Sequence, residues 1–513
     1  MVIAILILYI LSIIGIGIYY RKKSSTVNDF VLGGRSVGPW LTAFAYGTSY
    51  FSAVIFVGYA GKFGWNFGVA STWIGIGNAI IGSLLPWVIL GRRTRVMSKH
   101  LESATMPQFF EKRFFSKPMK IISAIIVFAF LIPYTASVYN GLSRLFGMAF
   151  DVDYSVCVIG MAVVTAVYVI IGGYKATAMN DFVQGIVMLI GIVAVILATL
   201  NSKGGFSEAM NQLSQVSTEG TVSPNLNGGF ASFFGPDPMN LLGVVLLTSL
   251  GTWGLPQMIH KFYTIKDEKS IKTGTIVSTI FAIVVAGGCY FLGGFGRIFV
   301  SEEEFAKIGS DGIIPKMLEN LPEILLGVVV VLVLSASMST LSSLVITSSS
   351  TLTLDLIKPA MKGKLSEKKQ LLVMRSLIAI FLALSVIIAL NKNALISDLM
   401  GYSWGALAGA FLAPFMYGLF WKGVTKIAVY ASFAVGVGTT VLHMILKPTG
   451  DLFGLSLASP VNIGMLTMLA GLIIVPVVSL VTPKLKKEQI DSVFICYKRR
   501  VEVDVTEAIS DNE

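Results

Sequence analysis

Residues 44–53 read FAYGTSYFSA, a small and hydroxylated stretch inside the apolar run at 40–60. A helix that opens inside a membrane has to line a cavity or find new partners for its backbone. A second stretch, residues 249–256, reads SLGTWGLP, and its two glycines and its proline also interrupt an apolar run. Interrupted spans at matching places in two halves of a chain are typical of the binding site of a membrane transporter. The two stretches therefore predict two broken helices around one site.

Apolar runs of membrane-spanning length make up most of the chain. Of its 513 residues, 54% are hydrophobic and only 13% are charged, whereas a soluble domain carries about a quarter charged residues. One crossing of the hydrocarbon core needs about 20 apolar residues. We count thirteen runs, near 2–20, 40–60, 67–91, 119–148, 154–171, 180–200, 239–259, 274–296, 322–354, 371–390, 397–420, 426–446 and 460–482. This pattern excludes a soluble enzyme, a disordered protein and a disulfide scaffold.

The two interrupted runs are the second and the seventh, five spans apart. This spacing predicts two inverted five-helix repeats, at about 40–200 and 239–420, within one transmembrane domain that covers residues 1–482. The charged segment 483–513 is expected to be a solvated cytoplasmic tail without readable chemistry. Ordinary glycine-mediated helix packing is the alternative explanation of the two interrupted runs.

The basic residues predict the orientation in the membrane. The net charge is +11, and cytoplasmic loops of membrane proteins are enriched in Lys and Arg. Arg21, Lys22 and Lys23 follow the first run, and four lysines that we assign to a cytoplasmic loop follow the seventh, namely Lys261, Lys266, Lys269 and Lys272. The alternation predicts an inner (plasma) membrane protein whose N-terminus lies outside and whose C-terminus is cytoplasmic.

The ninth run carries the strongest chemical signal. From Ser335 to Thr353, twelve of nineteen residues are Ser or Thr. Such hydroxyls can bond to their own helix, and this is the simpler reading for most of them. However, four residues share one helical face through i, i+3, i+4, i+7 spacing, namely Ala336, Ser339, Thr340 and Ser343. Their carbonyls and hydroxyls suit a small hard cation such as Na⁺.

Several motifs resemble the sodium:solute symporter family over about residues 2–485. They are VLGGRSVGP at 31–39, GGYK at 172–175 followed by NDFVQ at 180–184, MSTLS at 338–342, and GYSWG at 401–405 in a span that runs through Pro414. The likeness is to bacterial sodium/proline and pantothenate-type members. It implies an all-α fold of five plus five inverted helices, of the leucine-transporter type, with flanking helices. It also implies sodium-coupled secondary active symport of a small organic solute, an amino acid or a small carboxylate.

The resemblance also implies ligands for one or two sodium ions. The first site would use the carbonyls of Thr48, Phe51 and Ala336 and the hydroxyls of Ser339 and Thr340. A second site, described for some members, would fall on Asp181, Ser339, Ser342 and Ser343. Asp181 could instead be an ordinary cap at the start of a cytoplasmic helix.

Eight residues are candidates for contact with the solute, each chosen by its position at a break or by family likeness. They are Tyr46, Tyr50, Ser52, Tyr134, Thr252, Trp253, Gln257 and Trp404. The aromatic members could equally pack helix against helix.

Two departures argue against proline as the solute. Tyr50 stands where the sodium/proline symporters carry an aspartate, and Thr248 and Thr252 replace their aromatic pair. The fourth span offers no arginine before Arg144, which argues against sialic acid. With no buried cation expected in the site, a carboxylate would bind the amides of the broken second span.

Other classes of protein remain as alternatives. A proton-coupled or facilitative carrier of the same fold would need an acid or a histidine in the core, and only Asp181 could serve. A sugar or sialic-acid-type sodium symporter is another candidate, and a fused sensor or a channel is disfavoured. We expect no enzymatic activity, because no nucleotide-binding loop, catalytic carboxylate pair or activated nucleophile is readable. The expected partners are the solute, sodium ions and the lipid bilayer, without nucleic acid.

Overall fold

Helices form nearly all of the regular structure. The structure, a computed structural model, describes residues 2–20, 26–150, 152–267, 269–361, 365–391 and 395–498. The helices are α1 Val2–Tyr20, α2 Val27–Leu32, α3 Pro39–Tyr50, α4 Ala60–Phe67, α5 Thr72–Ala79, α6 Arg92–His100, α7 Met106–Phe114, α8 Lys117–Phe150, α9 Tyr154–Asn201, α10 Phe206–Ser214, α11 Pro238–Leu250, α12 Pro256–Tyr263, α13 Lys269–Ala282, α14 Gly288–Gly293, α15 Glu302–Ile308, α16 Ile313–Leu318, α17 Glu323–Thr351, α18 Lys358–Ala360, α19 Glu367–Ala389, α20 Ile396–Phe420, α21 Lys426–Leu446, α22 Pro460–Val481 and α23 Lys487–Phe494. A two-stranded hairpin, β1 Asp451–Leu452 and β2 Leu455–Ser456, precedes α22.

Ten stretches of the described chain are long and apolar enough to cross a membrane, or eleven if one bent pair is a single span. Two of them, Val54–His100 and Tyr154–Asn201, have 47 and 48 residues, more than twice the length that one crossing needs. Gly68 interrupts the first stretch and Gly173 the second, each with a positive φ of +62°. The count of thirteen spans stays a prediction. Arg21, Lys22 and Lys23, on which the orientation partly rests, lie outside the described residues.

Both predicted helix breaks are present. α3 ends at Tyr50, Phe51 is extended with φ −111° and ψ 127°, and the chain resumes as a π-helix over Val54–Tyr59 that leads into α4. The second break follows α11, where a 3-10 turn over Gly251–Gly254 and an extended Leu255 precede α12. α12 begins on a proline, whose missing N–H costs nothing at that position. The two parts of this second span meet at a bend of 46°.

α17 lies at the centre of the bundle and packs against α3, α8 and α9. Its residues from Val329 to Thr351 are all buried, which explains why its apolar residues show no single face. Many of its hydroxyls bond to their own helix, as the Ser350 hydroxyl does to the Thr347 carbonyl at 3.1 Å. Hydrogen bonding of hydroxyls to their own helix therefore accounts for part of the Ser/Thr-rich run.

The runs at 154–171 and 180–200 are parts of one helix, α9, whose backbone bends at Gly173. One expectation from the sequence is wrong in detail. The start of the expected solvated tail is packed on the bundle: the Phe494 ring lies 4.8 Å from the Arg113 guanidinium, and the Tyr497 hydroxyl donates to the Arg93 carbonyl at 3.2 Å. Residues 499–513 of that tail lie outside the described chain.

Glycines allow α4, which continues the first broken helix, to touch α14 through backbone atoms. A Cβ atom added at Gly293 of α14 would lie 2.1 Å from the carbonyl oxygen of Ala60 in α4. We expect Gly293→Ala to destabilise the protein by about 1–3 kcal/mol, as overpacking usually does. The measurement is thermal unfolding of the detergent-purified protein.

The matched control is Gly160→Ala in α9, because a Cβ atom there would meet nothing within 4 Å. This variant should be neutral or slightly stabilising, since alanine is the better helix former. Equal melting temperatures for the two variants would show that the α4–α14 contact is not tight.

Candidate functional site

The five atoms expected to form the first sodium site lie together at the break of α3. The Ser339 hydroxyl donates to the Thr48 carbonyl at 2.9 Å, and the Thr340 hydroxyl donates to the Phe51 carbonyl at 3.4 Å. Both hydroxyls also contact the Ala336 carbonyl, at 3.0 and 3.2 Å. All five residues are at most 2% exposed. α3 and α17 therefore meet through a compact, buried cluster of oxygen atoms.

The break in α3 is the reason for this cluster. The last carbonyls of a helix lack intrahelical partners, and in the membrane they have to find others. The Ser49 carbonyl belongs to this group too, since it lies 3.4 Å from the Thr340 hydroxyl. Ser49 was not predicted, although it lies between two predicted residues.

The cluster suits a small hard cation by its chemistry, and its oxygens lie only slightly closer together than ligands of such an ion do. Three carbonyls and two hydroxyls carry no net charge, which suits a monovalent ion better than a divalent one. Ca²⁺, an ion close to Na⁺ in radius, binds oxygens at about 2.3–2.6 Å, so that adjacent ligands around it lie roughly 3.3–3.7 Å apart. The contacts between Ser339, Thr340 and the carbonyls, at 2.9–3.4 Å, are slightly tighter than that spacing.

Asp181 does not cap a helix. It lies inside α9, eight residues beyond the bend at Gly173, and its side chain is 1% exposed. The alternative that it is an ordinary helix cap is therefore wrong. Among the described residues, neither carboxylate oxygen has a hydrogen-bond partner. The Ser342 hydroxyl bonds instead within α17, to the Ser339 carbonyl at 2.9 Å.

A lysine ammonium lies between Asp181 and Ser343. Nζ of Lys261 is 3.8 Å from a carboxylate oxygen of Asp181 and 2.9 Å from the Ser343 hydroxyl. Lys261 is 2% exposed, so its assignment to a cytoplasmic loop, and the expectation of no buried cation, are wrong. α12 continues past the break and carries the lysine inward. The i, i+4 spacing of Gln257 and Lys261 was the available sequence signal, because such residues share a helical face.

Four of the eight solute candidates meet in one aromatic group. The Tyr50 ring lies parallel to that of Trp404 with centroids 6.1 Å apart, and Tyr134 meets Trp404 edge-on at 5.9 Å. The Tyr134 hydroxyl lies beside Ser52. α3, α8 and α20 each contribute to this group, which lies next to the break in α3.

The other four candidates lie elsewhere. The Tyr46 and Thr252 hydroxyls both donate to the Gly82 carbonyl, at 2.8 and 3.2 Å, and the Trp253 indole donates to the Ile81 carbonyl at 2.8 Å. These three hold the π-helical turn at 80–84. Gln257 lies near Lys261 and Ser343. All eight side chains are at most 5% exposed.

Two further contacts at the breaks were not predicted from the sequence. The Tyr50 hydroxyl donates to the Thr248 carbonyl and so joins the two broken spans directly. The hydroxyls of Thr248 and Ser249 both donate to the Asn78 side-chain oxygen at 3.0 Å. Nothing in the local sequence identifies Asn78, because its partners lie about 170 residues away.

The backbone amides expected to hold a carboxylate are already bonded to serines. Ala53 N–H donates to the Ser337 hydroxyl at 3.3 Å, and Val54 N–H donates to the Ser52 hydroxyl at 3.2 Å. A solute carboxylate at this helix start would have to replace one or both serines.

A multi-pass helical bundle with two broken helices that enclose a buried site is a secondary transporter in its architecture. The comparison with protein families supports this class: the model of the sodium:solute symporter family matches residues 30–436, and the chain belongs to that family. It is therefore a sodium-coupled symporter of a small solute.

Relatives and solved structures agree with this assignment. The osmoregulated proline transporter OpuE of Bacillus subtilis is 29% identical over 86% of this chain and 89% of its own. The sodium/proline symporter of Staphylococcus aureus strain JH9 is also 29% identical, over 94% and 92%.

Two solved structures share the fold. A Na⁺-coupled sialic acid symporter in a substrate-bound outward-open state superposes with a TM-score of 0.76 at 16% identity, covering 94% of this chain and 98% of the other. A nucleobase-cation-symport-1 family transporter in a closed conformation gives 0.51 at 13% identity, over 92% and 98%. These likenesses confirm the predicted inverted-repeat fold class.

The contact between Tyr50 and Thr248 gives a test of how the two broken spans close on each other. Tyr50→Phe keeps the ring against Trp404 and removes one buried hydrogen bond, which contributes about 1 kcal/mol. We expect the apparent affinity for the solute to weaken about fivefold while the membrane level of the protein stays normal. The measurement is sodium-driven uptake in proteoliposomes.

Tyr59→Phe is the control, since the Tyr59 hydroxyl has no hydrogen-bond partner among the described residues and its ring is equally buried. It should leave uptake unchanged. Equal kinetics for both variants would exclude a role of the Tyr50 hydroxyl in closure.

Proposed function

We propose that a sodium ion binds at the break of α3 and drives the import of a small neutral amino acid. The ligands would be the carbonyls of Thr48, Phe51 and Ala336 and the hydroxyls of Ser339 and Thr340. The observation that carries this proposal is the convergence of these five buried oxygens from two helices at 2.9–3.4 Å. The proposed orientation places the N-terminus outside and the C-terminus in the cytoplasm.

Coupling follows from the position of α3. An ion at the cluster ties α17 to the carbonyls of α3, and Tyr50, two residues beyond Thr48, lines the aromatic group. Each ligand therefore stabilises the same closed arrangement, and the two affinities rise together by the same factor. The membrane potential contributes about 2.3 kcal/mol per charge per 100 mV to the inward movement of the ion.

The aromatic group favours a solute without net charge. Tyr50, Tyr134 and Trp404 offer apolar ring surfaces, and Ser52 lies beside them at the start of a helix. A helix N-terminus favours a carboxylate, which would take the Ala53 or Val54 amide from its serine. A zwitterion with a small apolar side chain suits both features. A short carboxylate is the second candidate.

Proline, the solute in the names of the relatives, fits this site less well. The hydroxyl of Tyr50, which replaces the aspartate of the sodium/proline symporters, already bonds to the Thr248 carbonyl. Thr248 and Thr252 bond to the side chain of Asn78 and the backbone of Gly82, where the proline symporters present aromatic rings. A different amino acid is therefore our first choice.

Two rival functions are less well supported. Proton coupling through Asp181 would have to work against the neighbouring ammonium of Lys261. Sialic acid recognition through Arg144 would compete with Asp311, whose carboxylate lies 3.6 Å from the guanidinium and accepts from the Ile396 amide. Burial raises the pKa of Asp311, and the nearby guanidinium opposes that rise.

The hydroxyl ligands allow a direct test of the sodium site. Ser339→Ala and Thr340→Ala each remove one oxygen from the cluster and replace the residue with alanine, a good helix former. We expect the half-saturating sodium concentration for uptake to rise at least about tenfold in each, which corresponds to about 1.4 kcal/mol. Sodium titrations of uptake provide the measurement.

Ser350→Ala is the matched control on the same helix, since that hydroxyl bonds only within α17 among the described residues. Its sodium dependence should equal that of the wild type. Unchanged sodium dependence in Ser339→Ala and Thr340→Ala, at normal membrane levels, would refute the site.

The solute is tested by thermal-shift measurements with amino acids, short carboxylates and sugars, in sodium and in choline buffer. We expect small neutral amino acids to stabilise the purified protein only when sodium is present. Stabilisation by sugars alone, or equal stabilisation in choline, would contradict the proposal. Proline is included as the comparison that the relatives suggest.

A further inference from the structure

The side chain of Lys261 lies where a second sodium ion would be expected. Its ammonium is 3.8 Å from Asp181 on α9 and 2.9 Å from the Ser343 hydroxyl on α17. Asp181 and Ser343 are two of the four residues that the family resemblance nominates for a second ion. The lysine itself belongs to α12, the second half of the other broken span.

The surroundings of Asp181 favour a positive charge nearby. The carboxylate is 1% exposed, and within the described residues neither of its oxygens accepts a hydrogen bond. A buried carboxylate without a counter-charge is very costly, so it has to be protonated or paired with a cation. Of the cationic side chains in the described chain, Lys261 lies within ion-pair distance of it.

The surroundings of the ammonium also resemble a cation site. Besides Asp181 and Ser343, the ring of Tyr174 lies 5.2 Å from Nζ, and aromatic faces attract cations. A carboxylate, a hydroxyl and an aromatic face thus surround the charge. Gln257 and Thr177 also line the surroundings of the ammonium.

We propose that the Lys261 ammonium is a tethered cation that replaces a second sodium ion, so that one mobile sodium is coupled to each solute. This proposal rests on the proposed function of the first sodium site. The tethered charge neutralises Asp181 and links α9, α12 and α17 in the way a bound ion would. Because it is covalently attached, it is never released and adds nothing to the charge that crosses the membrane.

The tethered cation is connected to the first sodium site. The Ser343 hydroxyl lies 2.6 Å from the Ser49 hydroxyl, and the Ser49 carbonyl lies 3.4 Å from the Thr340 hydroxyl. Lys261 thus supports the broken end of α3 through two serines. Loss of the lysine should therefore alter sodium binding without removing any ligand of the first site.

The number of sodium ions bound by the purified protein tests the proposal without knowledge of the solute. The probe is ²²Na⁺ alone, measured by equilibrium scintillation binding in choline-balanced buffer. We expect one ion for the wild type and for Lys261→Arg, which keeps the charge. Lys261→Met should bind two ions, because the carboxylate of Asp181 is free to bind a mobile cation. The double variant Asp181→Asn/Lys261→Met should return to one.

The outcomes separate this proposal from the first. Two ions on the wild type, or one ion on a well-folded Lys261→Met, would overturn the tethered cation and leave the first site intact. If Lys261→Met does not fold, the wild-type and double-variant counts still decide, and two ions on either would overturn the proposal. Absence of saturable sodium binding by the wild type would instead contradict the proposed function.

Discussion

The carbonyls opened by the break at Phe51 have to be satisfied inside the membrane, and the rest of the site depends on how this is done. Unpaired backbone oxygens in a membrane interior cost several kcal/mol each. The Ser339 and Thr340 hydroxyls meet this demand from α17. The same contacts assemble the oxygen cluster that suits a sodium ion. Local helix breakage and ion recognition are thus one structural feature.

The second broken span is tied to the first by similar means. The Tyr50 hydroxyl donates to the Thr248 carbonyl just before the turn at Gly251–Gly254, and Lys261 beyond that turn reaches Ser343 on α17. The two broken spans therefore contact each other and also share α17 as a neighbour. A change of conformation in one broken span has to disturb the other, as alternating access by rocking of a helix bundle requires. The backbone contact between α4 and α14 gives the second half of the first broken span a firm support.

The sequence predicted the features that local chemistry determines. Glycine, proline and hydroxylated residues in apolar runs located both breaks, and the i, i+3, i+4, i+7 pattern located the face of α17. It was less informative where tertiary packing decides. A lysine after an apolar run is typical of a cytoplasmic loop, yet α12 restarts after the break and carries Lys261 into the bundle. The contacts of Asn78 and the position of the solute candidates likewise depend on distant helices.

Hydrogen–deuterium exchange over residues 51–56 is the sharpest test of whether sodium holds the break in α3, because these amides follow that break. We expect slower exchange of this segment in sodium than in choline for the wild type, and for Ser339→Ala the same slowing only at roughly tenfold higher sodium concentration. Exchange rates that are equal in sodium and choline for the wild type, in a protein that still transports, would contradict binding of sodium at this break.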